Sequence, residues 1–276
     1  MIKDVMVHLD GTAADDARLA AVDTIADRFE SRVIGLFVNM LPLLAPEEED
    51  GIGAAQSVEL VRLAREAGDR MEAKLTQRLA LLQKPVELRR FDSLAGAIAD
   101  IAAREARTAD TFVALRPNGA AREPEHLVEG VLFESGRHLF LVPRRKAGKT
   151  AFDHILVAWN GSRESARALA EALPYLHQAR AVTVVVVDDE PPVEARAIEG
   201  VAAVDHLKQH GIDAVLHHAR ARKADIGTTL IAVAKDREAD LIVMGGYGHS
   251  RLREWLLGGT TYELLHAAPV PLLVAH

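Results

Sequence analysis

The chain contains one long stretch twice. Lys3-Asp4-Val5-Met6-Val7-His8-Leu9-Asp10-Gly11-Thr12 matches Asp153-His154-Ile155-Leu156-Val157-Ala158-Trp159-Asn160-Gly161-Ser162. Each is an apolar run closed by Asx-Gly-Ser/Thr. Ala109-Asp110-Thr111-Phe112-Val113-Ala114 matches Ala239-Asp240-Leu241-Ile242-Val243-Met244 in the same way. A repeat this long means a duplicated domain, not a solenoid of short units. Within each half, short apolar runs alternate with helical stretches. That alternation predicts a parallel sheet covered on both faces, an α/β fold. The expected units are residues 1–143 and 151–276. Between them lies a basic, glycine-containing linker, Arg144-Arg145-Lys146-Ala147-Gly148-Lys149-Thr150.

In the second half the pattern predicts strands at 154–159, 182–187, 213–218, 240–244 and 271–275, with helices at about 163–177, 193–210, 225–237 and 255–267. Ser162 is placed to cap the first of these helices. Ala166, Leu169, Ala170 and Leu173 give it an apolar face. In the first half the strands fall near 4–9, 33–38, 85–91, 110–115 and 139–142. Asn39 to Gln56, with Pro42, Pro46 and the run Glu47-Glu48-Glu49-Asp50, reads as an extended solvated loop.

Composition excludes several classes of function. There is no cysteine, so disulfides, thiolate metal sites and cysteine nucleophiles are ruled out. This suits a reducing compartment, and the expected location is cytoplasmic. No apolar run approaches the ~20 residues that a bilayer span needs. The first ten residues carry Lys3, Asp4 and Asp10 in a strand-like run and do not read as a signal peptide. A net charge of −7 argues against broad nucleic-acid affinity. Aromatic content of 4% leaves few platforms for stacking single-stranded bases. Neither nucleic acid nor membrane is expected as a partner.

The run Gly245-Gly246-Tyr247-Gly248-His249-Ser250-Arg251, closed by Gly258-Gly259-Thr260-Thr261, follows the apolar strand Asp240–Met244 directly. A glycine-rich turn that leaves a strand and feeds a helix lets backbone N–H groups converge on an anion. Its spacing, Gly245-x2-Gly248-x9-Gly258, is neither the dinucleotide fingerprint nor the Walker P-loop. Read without a ligand, the same loop is a tight strand–helix connection.

This spacing resembles the universal stress protein family, whose nucleotide-binding members carry G-x2-G-x9-G-(S/T) after the fourth strand. His154–Ser162 is similar to that family's first strand and turn, Ala239–Gly245 to its fourth strand, and Ala268–Val274 to its last. The resemblance implies a tandem protein of two Rossmann-like, doubly wound, five-stranded domains with strand order 3-2-1-4-5. It also implies an adenine nucleotide, ATP, as ligand. Ligands of such sheets bind at the carboxyl ends of the strands where the order reverses. Asn160 and the glycine loop leave those two strand ends and so face one crevice. The site residues it implies are Asn160, Gly245, Gly248, His249, Arg251, Gly258, Gly259, Thr260 and Thr261. Binding members of the family end the first strand in Asp and follow the third glycine with Ser or Thr. Here Asn160 stands at the strand end, and Gly259 precedes the hydroxyls of Thr260 and Thr261. The family's habit of dimerising along the last strand implies that Leu139–Val142 and Leu272–Val274 meet across an internal pseudo-two-fold, and that a homodimer or an unnamed protein partner is open to the chain.

The first half lacks the loop. After Leu115 it reads Arg116-Pro117-Asn118-Gly119-Ala120-Ala121-Arg122-Glu123-Pro124, and the prolines remove donors that a phosphate cradle would need. That half reads as a degenerate copy with a structural or partner-binding role. His206 and His210 share one face of a helix, which makes half a zinc site; solvated surface histidines are the expectation. His8 reads as a hydrogen-bonded core residue. No nucleophile–base–acid set is visible. Asp188 and Asp189, at the end of strand 182–187, are the only acidic pair placed to meet Mg²⁺. Three functional classes fit: a nucleotide-binding stress or regulatory protein, a ligand-free scaffold, and, more weakly, a slow ATP-hydrolysing enzyme.

Overall fold

The computed structural model describes residues 1–43, 52–94, 96–117, 123–124, 126–143, 151–188, 194–221, 225–246 and 259–276. The first half runs β1 (Asp4–His8), α1 (Asp15–Phe29), β2 (Arg32–Leu41), α2 (Ile52–Ala80), β3 (Val86–Leu94), α3 (Ile98–Ala106), β4 (Thr111–Leu115), α4 (Leu127–Glu134) and β5 (Leu139–Val142). The second runs β6 (His154–Ala158), α5 (Arg163–Leu176), β7 (Ala181–Asp188), α6 (Glu194–Gln209), β8 (Ala214–Arg220), α7 (Ile226–Asp236), β9 (Leu241–Gly245), α8 (Thr260–Ala267) and β10 (Leu272–Ala275).

All ten strands form one sheet, in the order β3-β2-β1-β4-β5-β10-β9-β6-β7-β8. Each half therefore contributes the 3-2-1-4-5 order, and the halves meet edge to edge without interleaving. The inner parallel strands are nearly continuous apolar runs because helices cover both faces, while the outer strands β3 and β8 carry charged and histidine side chains. The join is an antiparallel pair, Leu272↔Leu141, Leu273↔Phe140 and Val274↔Leu139. Leu139, Phe140 and Leu141 are the equivalents of Leu272, Leu273 and Val274, so a pseudo-two-fold passes through the Phe140–Leu273 pair. Pairing the two edges satisfies backbone groups that each half would otherwise expose.

Both faces of the sheet carry a core that crosses the join. On one face Phe29, Phe140, Phe152 and Tyr175 pack together, with ring centroids 5.0–6.1 Å apart. A buried polar chain also spans the halves there. The Tyr175 hydroxyl lies 2.9 Å from Thr111 Oγ1, which lies 3.0 Å from His138 Nε2, and His138 Nδ1 is 3.0 Å from Glu171 Oε2. Burial pushes the Tyr175 hydroxyl well above its ordinary range.

Two local expectations need correction. The stretch Asn39–Gln56 is not one long loop: β2 runs on to Leu41, and α2 is already helical at Ile52. Only the eight residues 44–51 between them lie outside the described structure. The apolar face of α5 is also rotated. Ala166 and Ala170 are exposed, and the buried face is Ser165, Ala168, Leu169, Ala172, Tyr175 and Leu176. Small residues at 168 and 172 permit the close approach of helix to sheet, and Tyr175 reaches across the join. The linker, residues 144–150, lies outside the described residues.

Candidate functional site

Strand order reverses twice, between β1 and β4 and between β6 and β9, giving two crevices at pseudo-equivalent places. The β1–α1 and β6–α5 segments correspond without a gap. Asp10 corresponds to Asn160, Gly11 to Gly161, Asp15 to Ser165 and Arg18 to Ala168. Both turns need a glycine, because Gly11 and Gly161 hold φ of 77° and 73°. Both are Asx turns: Thr12 N–H donates to Asp10 Oδ1 at 2.9 Å, and Ser162 N–H to Asn160 Oδ1 at 3.2 Å. The expected cap on α5 is present, with Ser165 N–H donating to Ser162 Oγ at 3.2 Å.

The first crevice is filled by the chain itself. Glu123, buried, accepts from Leu115 N–H at 2.6 Å, from Arg18 Nε and Nη2 at 2.8 and 2.9 Å, and from His8 Nδ1 at 2.9 Å. Arg18 is fully buried and also meets Asp15 at 2.7 Å and Asp10 at 3.2 Å. Burial pushes the Glu123 carboxyl upward, but the hydrogen bonds and charges of His8 and Arg18 outweigh it and hold Glu123 below its ordinary range. Burial likewise raises Asp10; bonds from Thr12 and the charges of Arg18 and His8 overcome it and bring Asp10 down to about 2. Helix α2 then closes over the turn. Lys74 Nζ donates to Gly11 O at 3.0 Å, Arg78 Nη1 to Thr12 O at 3.2 Å, and Met71 occupies the space a Gly11 Cβ would need. His8 is the hydrogen-bonded buried residue expected of it.

The second crevice carries small side chains at the same positions: Ala158 for His8, Ser165 for Asp15 and Ala168 for Arg18. Asn160 is exposed. Of four buried side-chain polar atoms without a partner among the described residues, two stand here, Trp159 Nε1 and Asp188 Oδ1; the others are Arg28 Nε and Arg116 Nε. The register pairs Ala158 with Val185, so Trp159 stands opposite Val186, and Asp188 lies diagonally beyond it on the same face. An unpartnered donor and an unpartnered acceptor thus stand at the ends of adjacent strands. The other Asp188 oxygen lies 4.0 Å from His218 Nδ1. The equivalent of Asp188 in the first half is Asn39, whose Nδ2 donates to Ala64 O at 3.2 Å and Asp92 Oδ1 at 2.9 Å.

Of the residues expected in this site, Asn160 and Gly245 stand at the neighbouring ends of β6 and β9, and Gly259, Thr260 and Thr261 at the start of α8. Gly248, His249, Arg251 and Gly258 lie outside the described residues. Gly245 has a packing reason of its own. A Cβ there would stand 2.5 Å from the Glu164 carbonyl carbon and 2.6 Å from Ser165 N. Helix α5 begins two residues earlier than α1 does in equivalent numbering, and this extra half-turn presses on the end of β9. Gly259 holds φ of 139° before α8, again a conformation suited to glycine. Helix α8 is tied to α7 by Gly227 N–H, which donates to Glu263 Oε2 at 3.1 Å. Burial, then the neighbouring Asp225 carboxylate, pushes Glu263 up to about 7.

His206 and His210 do share a face, with ring centroids 4.7 Å apart, and both are exposed. Among the described residues no group of three or more His, Asp or Glu could hold a metal. No described helix is long and apolar enough to cross a membrane. Sequence reasoning missed the pairing of Arg18 with Glu123, which lie 105 positions apart. The available signal was an arginine on the otherwise apolar face of α1. It also passed over Trp159, whose signal was an indole where the first half has Leu9.

A doubly wound sheet with a crevice at its reversal point defines the Rossmann-like class of α/β proteins. Residues 151–276 match the model of the universal stress protein family, and this part of the chain belongs to that family. A universal stress protein of Mycobacterium tuberculosis is 34% identical over 64 residues, which is 23% of this chain and 21% of that relative's length. The fold of the whole chain recurs in a universal stress protein of Archaeoglobus fulgidus, with a TM-score of 0.76 at 17% identity, covering 99% of this chain and 97% of that one. It recurs again in a functionally unknown protein of Pseudomonas aeruginosa, with a TM-score of 0.62 at 15% identity, covering 99% and 92%.

Proposed function

We propose that the protein is a stress-response regulator of two units, residues 1–143 and 151–276, and that the second unit binds an adenine nucleotide, ATP. The observation that carries this reading is the unpaired donor and acceptor at Trp159 Nε1 and Asp188 Oδ1. A buried polar group without a partner costs ~1–3 kcal/mol, so two of them at the ends of the adjacent strands β6 and β7 suit a bound molecule that satisfies them. Adenosine can: its ring nitrogens accept, and its amino and ribose hydroxyl groups donate. Asn160 lies beside them, exposed, with an amide that can both donate and accept. The phosphates are then directed toward the segment from Gly245 to Thr261, where Gly248, His249, Arg251, Gly258, Gly259, Thr260 and Thr261 would supply N–H, hydroxyl and cationic groups. Mg²⁺ would ride on the phosphates.

The test is a calorimetric titration of ATP into the wild type, Trp159→Phe and Asp188→Ala. Saturable binding to the wild type is expected, with affinity reduced roughly 5- to 30-fold in each variant, as loss of one buried hydrogen bond implies. Absence of binding at millimolar ATP would leave the scaffold reading in its place.

A further inference from the structure

The donors around Glu123 belong to parts of the fold that do not depend on it. His8 is the last residue of β1, the Leu115 N–H lies at the end of β4, and Arg18 is held on α1 by Asp15 and Asp10 at 2.7 and 3.2 Å. Glu123 comes from the connection between β4 and α4 and reaches back to a strand end 8 residues before it. Its two oxygens are served evenly. Oε1 takes Leu115 N–H and Arg18 Nε, while Oε2 takes Arg18 Nη2 and His8 Nδ1. This is the fork geometry by which a guanidinium grips a planar two-oxygen anion.

We infer that the first crevice is a built binding site for a monocarboxylate, occupied in this protein by its own Glu123 as an internal ligand. The site does not require covalent attachment of that ligand. Truncating Glu123 to alanine removes a CH₂–COO⁻ fragment, and acetate has the size, charge and planarity of what is lost. A tetrahedral oxyanion such as phosphate fits worse, because each donor is already assigned to one of two coplanar oxygens. The first half is thus a ligand-binding unit that carries its ligand with it, and this reading stands apart from nucleotide binding in the second half.

The experiment uses the full chain with Glu123→Ala. Its melting temperature should fall below that of the wild type and rise saturably with sodium acetate or formate. Sodium chloride at equal ionic strength, neutral acetamide and inorganic phosphate should do little. The wild type should not respond to acetate beyond its response to chloride. Adding Arg18→Met to Glu123→Ala should weaken the acetate response about tenfold or more, as loss of a bidentate charge-assisted pair requires. An acetate effect no larger than that of chloride would overturn the proposal, and so would an undiminished effect in the double variant. If Glu123→Ala does not accumulate as folded protein, its refolding from urea is compared in acetate and in chloride. A yield raised by acetate supports the site; equal yields, including none in either salt, overturn it.

Discussion

In the first crevice Arg18 and His8 close on Glu123; at the same places the second crevice has Ala168 and Ala158. The backbone of the two is alike, down to the positive φ of Gly11 and Gly161. The difference lies in the side chains and in the connection after the fourth strand. In one half that connection delivers a carboxylate; in the other it is a glycine-rich run. A buried charge network pairs every polar group it contains and asks for no external ligand. A crevice lined by alanines leaves Trp159 Nε1 and Asp188 Oδ1 unpaired, which is the ground for the ligand proposed there. One topology thus supplies a stabilising element and a receptive one in the same molecule.

The largest expected effect would break the comparison on the first side. Among the described residues, Arg18→Met leaves buried Glu123 with only His8 as ion partner and buried Asp15 with only Arg78, 3.4 Å away, and removing one partner of a buried pair costs about 3–5 kcal/mol. Urea unfolding followed by circular dichroism measures it. A loss under ~1 kcal/mol would mean that the network is incidental to the fold. The second side has its own weak point at Gly245. In Gly245→Val the new side chain meets the backbone of Glu164 and Ser165, which cannot swing aside as a side chain would. A loss of about 1–3 kcal/mol is expected in the same unfolding experiment. Nucleotide binding should weaken with it, because the first turn of α5 must move.

Acid and base should separate the halves. Glu123 and Asp10 have folded pKa values below their unfolded ones, so the unfolded state binds more protons as pH falls. Their stabilisation is complete above about pH 4.5 and is lost as pH drops from there toward 2. Glu263 in the second half runs the other way. Its folded pKa is raised to about 7, so the native state holds the proton more tightly, and stability is lost between about pH 4.5 and 7. Glu263 is half-buried and keeps contact with solvent, so screening keeps this contribution small. Melting curves of Glu263→Gln should match the wild type at pH 5 and exceed it modestly at pH 8. A variant that gains nothing at pH 8 would show that Asp225 and Glu263 do not share a proton.

The smallest effect belongs to Asn160→Asp. Aspartate makes stronger bonds to ribose hydroxyls than the amide can. Against this stands repulsion from the triphosphate, about 1–3 kcal/mol per unit charge at several ångströms and an effective ε near 20. ATP affinity is expected to rise slightly or stay level in calorimetry. A marked loss would mean that adenosine does not lie against the end of β6.

Much of this molecule was readable as a string. The strands fell within one to three residues of their predicted places, the inner ones because each is a short, doubly buried apolar run, and Ser162 caps α5 as its position before the helix implied. The reading failed where long-range packing decides. Ala166 and Ala170 look apolar, yet they face water because Ala168 and Ala172 are the residues that the sheet admits. The start of α2 was hidden by neighbouring prolines and acids that signal a loop. The match between Glu123 and Arg18 left one local sign, the arginine on the buried face of α1, and nothing local named its partner.

The duplication, the class of fold, the strand positions and the glycine spacing are therefore properties of the sequence by itself, since each rests on hydrophobic periodicity or turn chemistry within a few residues. The joining of the halves through β5 and β10 was expected from the family resemblance, and tertiary structure decided its antiparallel register. It decided which polar groups at the two crevices find partners and which do not. It also decided that Gly245 is required by the first turn of α5. These depend on residues about a hundred positions apart being brought within hydrogen-bond or van der Waals reach, and no local pattern encodes that distance.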